Sequence, residues 1–101
     1  MKKTTGNILV IFGATGDLAS RKIFPALNEI KKSDKLPENF HILGCGRKEL
    51  IGNVFTKLSK DLINKSKYFK LDPNKEKDYN LLTHNINKFK NKYSTVNVIY
   101  Y

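Results

Sequence analysis

Gly13, Gly16 and Ala19 follow one another at three-residue intervals, directly after an unbroken apolar run over residues 8–12. Small residues at this spacing suit the binding of a diphosphate on main-chain amides. A glycine at 13 lets the chain turn sharply off a strand end. A glycine at 16 leaves no side chain where a phosphate approaches the backbone, and Ala19 lets a following helix pack close to a sheet. A helix opening just beyond presents unpaired N–H groups and the positive end of its dipole to an anion. Two glycines alone are a weak signal, and a plain structural turn is the competing reading. Their place between a strand and a helix is what makes them informative.

The second apolar run, residues 40–43, leads into Gly44-Cys45-Gly46-Arg47-Lys48. Dinucleotide sites selective for NAD usually carry an Asp or Glu at the end of the second strand, bonded to the ribose 2′-hydroxyl. A carboxylate there repels a 2′-phosphate, whereas a guanidinium binds it with two charge-assisted hydrogen bonds. This predicts NADP as the preferred cofactor, with Arg47 as the phosphate clamp. Glu49 lies two residues on and offers a carboxylate to a hydroxyl, which keeps NAD use open. A solvated surface cation is the plain alternative for Arg47.

The elements that position these residues are legible from periodicity. The run at 7–12 is rich in β-branched residues and reads as a strand buried on both faces, as in a parallel sheet. A helix is expected from residue 18, with Asp17 as its N-cap or first-turn acid. Ile23, Leu27 and Ile30 recur at helical spacing. Pro25 inside that pattern either kinks the helix or starts a second segment at its first position. A short strand at 40–43 follows, then an amphipathic helix from 49 marked by Ile51, Val54, Phe55, Leu58 and Leu62. Residues 68–71 suggest a third strand closed by Asp72-Pro73-Asn74. Leu82, Ile86, Phe89 and Tyr93 mark another helix, and residues 96–101 a last strand. The alternation βαβαβαβ predicts an α/β fold: a Rossmann-like, doubly wound parallel sheet with right-handed crossovers, incomplete at its last strand.

With 101 residues, two full domains are excluded, and residues 1–101 are read as one NAD(P)-binding domain. Hydrophobic residues make up 40% and charged residues 28%, which is globular rather than disordered. No run approaches the roughly 20 apolar residues of a membrane helix, so no membrane partner is expected. One cysteine excludes an intrachain disulfide framework. The lysine-rich N-terminus lacks the apolar stretch of an export signal, and a reducing cytoplasm is the expected compartment. The net charge is +10, carried by 17 lysines and only 2 arginines with no basic block. That pattern favours a solvated lysine surface over a nucleic-acid face, so no nucleic-acid partner is expected.

The residues quoted above also carry a family resemblance. Ile11-Phe12-Gly13-Ala14-Thr15-Gly16-Asp17-Leu18-Ala19, followed by Arg21-Lys22-Ile23-Phe24-Pro25-Ala26-Leu27, resembles the opening of the glucose-6-phosphate dehydrogenases. Leu36-Pro37-Glu38-Asn39, Ile42-Leu43-Gly44 with Gly46-Arg47, and Asn97-Val98-Ile99-Tyr100-Tyr101 extend it over nearly the whole chain. General short-chain reductases share the glycines but not Asp17-Leu18-Ala19 with Lys22-Ile23-x-Pro25. The resemblance implies oxidation of glucose 6-phosphate to the 6-phosphogluconolactone with transfer of hydride to NADP, at the entry to the pentose phosphate pathway. It implies that Gly13, Ala14, Thr15, Gly16, Asp17, Leu18, Ala19 and Ser20 form the dinucleotide loop, that Arg47 meets the 2′-phosphate, and that Tyr100 contacts the cofactor. Ser20 departs from members with a cation there and offers a neutral hydrogen bond.

The family's His-Tyr-Leu-Gly-Lys segment, its lysine-containing proline region and its catalytic histidine do not occur in this sequence. No catalytic residue is assigned, and the chain is expected to be the N-terminal part of the enzyme, inactive alone. Glucose 6-phosphate is then a partner only of the complete enzyme, and the unfinished sheet edge is a place for association. A stand-alone dinucleotide module working with a separate chain is the second reading, and a basic nucleic-acid-binding protein the third. Cys45 is expected to be partly exposed, and a small filler rather than a nucleophile. His41 falls on a strand and His84 on a solvated helix face, and no metal site is expected. The aromatics read as core.

Overall fold

The chain is described by a computed structural model over residues 5–37, 39–47, 55–72 and 74–101. Strand β1 spans Thr5–Phe12, β2 Phe40–Gly46, β3 Ser66–Lys70 and β4 Thr95–Tyr100. All pair in parallel, in the order β3-β2-β1-β4. β1 is central, and Ile8, Val10 and Ile11 are fully buried, because both faces of a parallel sheet are covered. Each expected strand is present, β1 and β3 starting two residues earlier than periodicity suggests.

One face of the sheet is covered by the segment after β1 and by the chain between β2 and β3. Ile11 and Ile42 meet Ala19, Ile23, Phe24, Leu27, Phe55, Leu58 and Leu62 there. The other face carries helix α3, Glu76–Lys92, whose Leu82 and Ile86 pack on Ile8, Val10, Leu43 and Phe69. Coverage of both faces makes the sheet doubly wound. The first turn of α3 holds Glu76 and Asp78 and its last turn Lys90 and Lys92, a distribution that complements the helix dipole.

The helix after β1 is not uniform. Residues 19–23 form a π-helical turn, in which the Phe24 amide reaches back to the Ala19 carbonyl, and α1 follows as Phe24–Lys32. Pro25 stands at the start of α1. Its ring cannot donate and would clash with the carbonyl four residues earlier, so a widened turn precedes it. Of the two expectations for Pro25, the second segment is the one found.

The helix expected from residue 49 is found only in part. Residues 48–54, including Lys48, Glu49, Ile51 and Val54, lie outside the described residues, as do Glu38 and Pro73. Residues 55–59 form turns, and helix α2 is the short Lys60–Ile63. The reason is tertiary. Asn28 on α1 donates to the Lys57 carbonyl at 2.6 Å and accepts from the Ser59 amide at 2.8 Å. Those groups are drawn out of any helical ladder, and Ser59 is extended. Phe55, Leu58 and Leu62 are buried nonetheless, as their apolar character requires.

Two further expectations are corrected. Cys45 is 1% exposed, because β2 runs through the middle of the sheet. The aromatics divide: Phe24, Phe40, Phe55, Phe69 and Tyr93 are buried, whereas Phe12, Tyr79, Tyr100 and Tyr101 are exposed. Three of these four, Phe12, Tyr100 and Tyr101, cluster where β1 and β4 end.

Candidate functional site

The carboxyl ends of β1 and β2 bound a crevice of about 430 Å³. Its walls are Phe12, Gly13, Thr15, Gly16, Cys45, Gly46, Arg47, Leu71 and Tyr79. The volume lies within the roughly 300–1,000 Å³ of small-molecule and cofactor sites. In open parallel sheets, ligands bind at this end, beside the position where strand order reverses. Here the chain leaves β1 for β2 on one side, and β4 lies on the other.

The loop between β1 and the helix is built as the glycine spacing predicts. Gly13 has a φ of +73°, in the left-handed region that side chains rarely adopt. Its carbonyl accepts the Gly16 amide at 2.9 Å, closing the turn. The first backbone bond of the helix runs from the Ser20 amide to the Gly16 carbonyl at 3.3 Å. The amides of Asp17, Leu18 and Ala19 precede that bond, so helix geometry supplies them no acceptor. They are the donors an anion would meet.

Not every loop amide is available. The Ala14 amide donates to the Cys45 carbonyl at 2.9 Å, so it serves to fasten the loop to β2. Ala14 itself is buried on Gly44: a Cβ at Gly44 would lie 2.8 Å from that of Ala14. Gly44 is thus a packing residue of the site, and its signal was the glycine inside an otherwise apolar strand. Ala19 is 1% exposed and seats the helix against the sheet. Ser20 is half-buried at the same turn.

Asp17 and Leu18 point outward. The Asp17 carboxylate makes no capping bond; it accepts from Arg21 Nε at 3.0 Å, one turn on. Both side chains are mostly exposed, so the pair adds only a few tenths of a kcal/mol. Its consequence is electrostatic, because the guanidinium offsets a carboxylate near the loop that would receive an anion.

Arg47 follows β2 and lines the crevice together with Gly13 and Gly16. It is exposed, and among the described residues no carboxylate pairs with it. Tyr100, by contrast, is not part of the crevice wall. Its ring stacks on Phe12 at a centroid distance of 6.1 Å and an interplanar angle of 15°, and Phe12 forms the wall. Sequence reasoning missed Phe12, Leu71 and Tyr79, which give the crevice its apolar floor. Only Phe12 had a local signal, as the last residue before the glycine turn.

Burial pushes the Cys45 thiol up to about 11. It therefore stays neutral, and its side chain packs in the core with Val10, Leu43 and Phe69. The remaining titratable candidates lie elsewhere. His41 stands near the start of β2, with Nε2 2.7 Å from the Tyr93 hydroxyl, and His84 is exposed on α3. Among the described residues, no group of three His, Cys, Asp or Glu side chains is placed to hold a metal.

The residues present fit a dinucleotide. Backbone lines one side of the crevice, the Arg47 guanidinium stands at its edge, and the apolar floor offers a surface to a flat ring. Comparison with known proteins agrees. The family model for the NAD binding domain of glucose-6-phosphate dehydrogenase matches residues 10–101. The glucose-6-phosphate 1-dehydrogenase of Treponema pallidum is 51% identical over 49 residues, 48% of this chain and 10% of that protein. The enzyme of the same name from Buchnera aphidicola subsp. Schizaphis graminum is 38% identical over 81 residues, 80% of this chain and 16% of that protein. The chain therefore spans a small part of the relatives it matches. A solved structure of glucose-6-phosphate dehydrogenase in complex with its substrate glucose 6-phosphate superposes with a TM-score of 0.78. That match covers 100% of this chain and 25% of the other at 20% identity, and it shows a shared fold.

Proposed function

The chain belongs to the glucose-6-phosphate dehydrogenase family, within its NAD binding domain, and from that premise we propose that it binds NADP in the Gly13–Arg47 crevice. It is the coenzyme-holding portion of an enzyme that oxidises glucose 6-phosphate to the 6-phosphogluconolactone. The single observation that carries the cofactor choice is Arg47 in the same crevice wall as Gly13 and Gly16.

When bound, NADP supplies the hydride-accepting ring. The chain's own residues do the rest. The amides of residues 17–19 take the pyrophosphate, strengthened by the dipole of the helix that begins there. Arg47 takes the 2′-phosphate through charge-assisted bonds. Phe12, Leu71 and Tyr79 exclude water from one face of the ligand, and Tyr100 holds the Phe12 ring in place. Among the described residues lining the crevice, none is a base suited to take the sugar hydroxyl proton, and neither histidine reaches it. The 101 residues are therefore proposed to bind coenzyme without turning over substrate.

Fluorescence titration with NADPH and NADH tests this. Arg47→Ala should weaken NADPH by about tenfold, the lower end for a charged hydrogen-bonded group at an exposed site. NADH should change by less than about twofold, since it lacks the phosphate. Equal losses for both, or none for NADPH, would remove the clamp assignment.

A further inference from the structure

Gly46 is the residue before the Arg47 clamp, and it lies at a three-way approach. A Cβ placed there would come within 2.6 Å of the Tyr68 hydroxyl and 3.1 Å of the Thr15 hydroxyl oxygen. The first distance is shorter than real Cβ contacts, and the second tighter than most. Three segments therefore converge: the loop after β1 through Thr15, the end of β2 through Gly46, and β3 through Tyr68. Thr15 and Arg47 both line the crevice, whereas Tyr68 does not. Tyr68 packs from beneath, half-buried against the core on the α1 face.

We infer that Tyr68 is a positioning residue that sets the spacing between the two phosphate-holding loops, with Gly46 kept side-chain-free to admit its hydroxyl. The inference rests on the NADP reading above and extends it to a residue outside the site. The physical reason is rigidity of the two anchors. The Ala14 amide bond to Cys45 fastens the glycine loop to β2, and parallel pairing of Gly44 with Tyr68 fastens β3 to β2. A group inserted between them has little free space to enter. It must push the Tyr68 ring outward or drive Thr15 and Gly46 apart. Either movement changes the distance between the pyrophosphate site and Arg47. A ligand that engages both, as NADPH does, is penalised more than one that engages only the first.

The test is a compensating pair in the full chain, read by NADPH and NADH titration with a thermal melt on each variant. Gly46→Ala should weaken NADPH by about tenfold, the scale of forcing one extra carbon into a packed site. It should weaken NADH less, so that the NADPH:NADH affinity ratio falls. Gly46→Ala with Tyr68→Phe should recover most of that ratio, because the hydroxyl oxygen in the way is gone and the next ring atom is at 3.4 Å. A Gly46→Ala protein with parental affinity for both coenzymes overturns the inference. So does a folded double variant as weak as the single. If Gly46→Ala alone does not fold, the double variant decides: parental selectivity supports the spacing role, and lost selectivity ends it. Failure of the underlying reading looks different, since Arg47→Ala would then leave the parent's coenzyme preference unchanged.

Discussion

The Ala14 amide donates to the Cys45 carbonyl at 2.9 Å, and both side chains are buried. This one bond joins the glycine loop to the second strand, two residues before Arg47. The two parts of the crevice proposed to hold phosphates are thus fastened to each other. Such fixed geometry lowers the ordering cost of binding.

Cys45 should be nearly inert toward thiol reagents in the native chain. Its thiol titrates near 11, raised by burial. At pH 8, about one molecule in a thousand carries the thiolate that such reagents attack. Ellman's reagent should therefore react slowly with the folded chain and quickly in urea. Native labelling as fast as in urea would contradict the buried placement.

Gly13→Ala should destabilise the chain by about 1–2 kcal/mol, the cost of a left-handed conformation for a residue with a Cβ. No steric clash contributes, because nothing lies within 4 Å of the added carbon. Gly13→Asn should cost less, since Asn tolerates this region better. Urea midpoints for the three proteins check the order. Equal midpoints for the Ala variant and the parent would mean that the turn is not held at this φ.

Phe24 is 1% exposed and meets Phe55 edge-to-face at 5.7 Å. Phe24→Ala should cost about 3–5 kcal/mol, from lost burial and the cavity left behind. Against a total of roughly 5–15 kcal/mol for a domain, that leaves little margin. Phe24→Leu should cost less than Phe24→Ala, because it leaves a smaller cavity. Differential scanning calorimetry would read both, and similar melting points for the two variants would contradict the packing described.

Acid should destabilise the fold through His41. Its folded-state pKa is lowered, first by burial and then by the charges of Lys92 and Lys65. The unfolded chain then binds the proton more readily than the folded one. Stability is full above the unfolded value of about 6.5 and is lost as pH falls from there toward the folded pKa. His41→Gln should flatten the part of the stability curve between pH 7.5 and 5 that the parent shows. Parallel curves for parent and variant would place the acid response in other groups.

Much of the fold was legible because its signals are local. The 7–12 run is apolar at every position, as a strand covered on both faces must be. Leu82 and Ile86 recur at one helical turn, and α3 buries both. The crevice was legible to the extent that backbone chemistry makes it: Gly13 for a φ that only glycine adopts readily, Arg47 for a charge at the second strand's end. The helix expected over 49–62 was misread where Asn28 reaches across 31 residues to take the Ser59 amide. No window along the chain contains that bond.

From the residues alone came the βαβ alternation, the turn at Gly13, the family resemblance and the cation at the crevice edge. Each depends on neighbours a few positions apart, where spacing dictates which groups share a face. Only the tertiary structure decided that Ala14 spends its amide on Cys45, that Tyr100 stands behind Phe12 rather than in the wall, and that Tyr68 closes on Gly46. Those relations follow from strand order and register. These are set by burying both sheet faces at once, a condition on the whole chain that no short segment records.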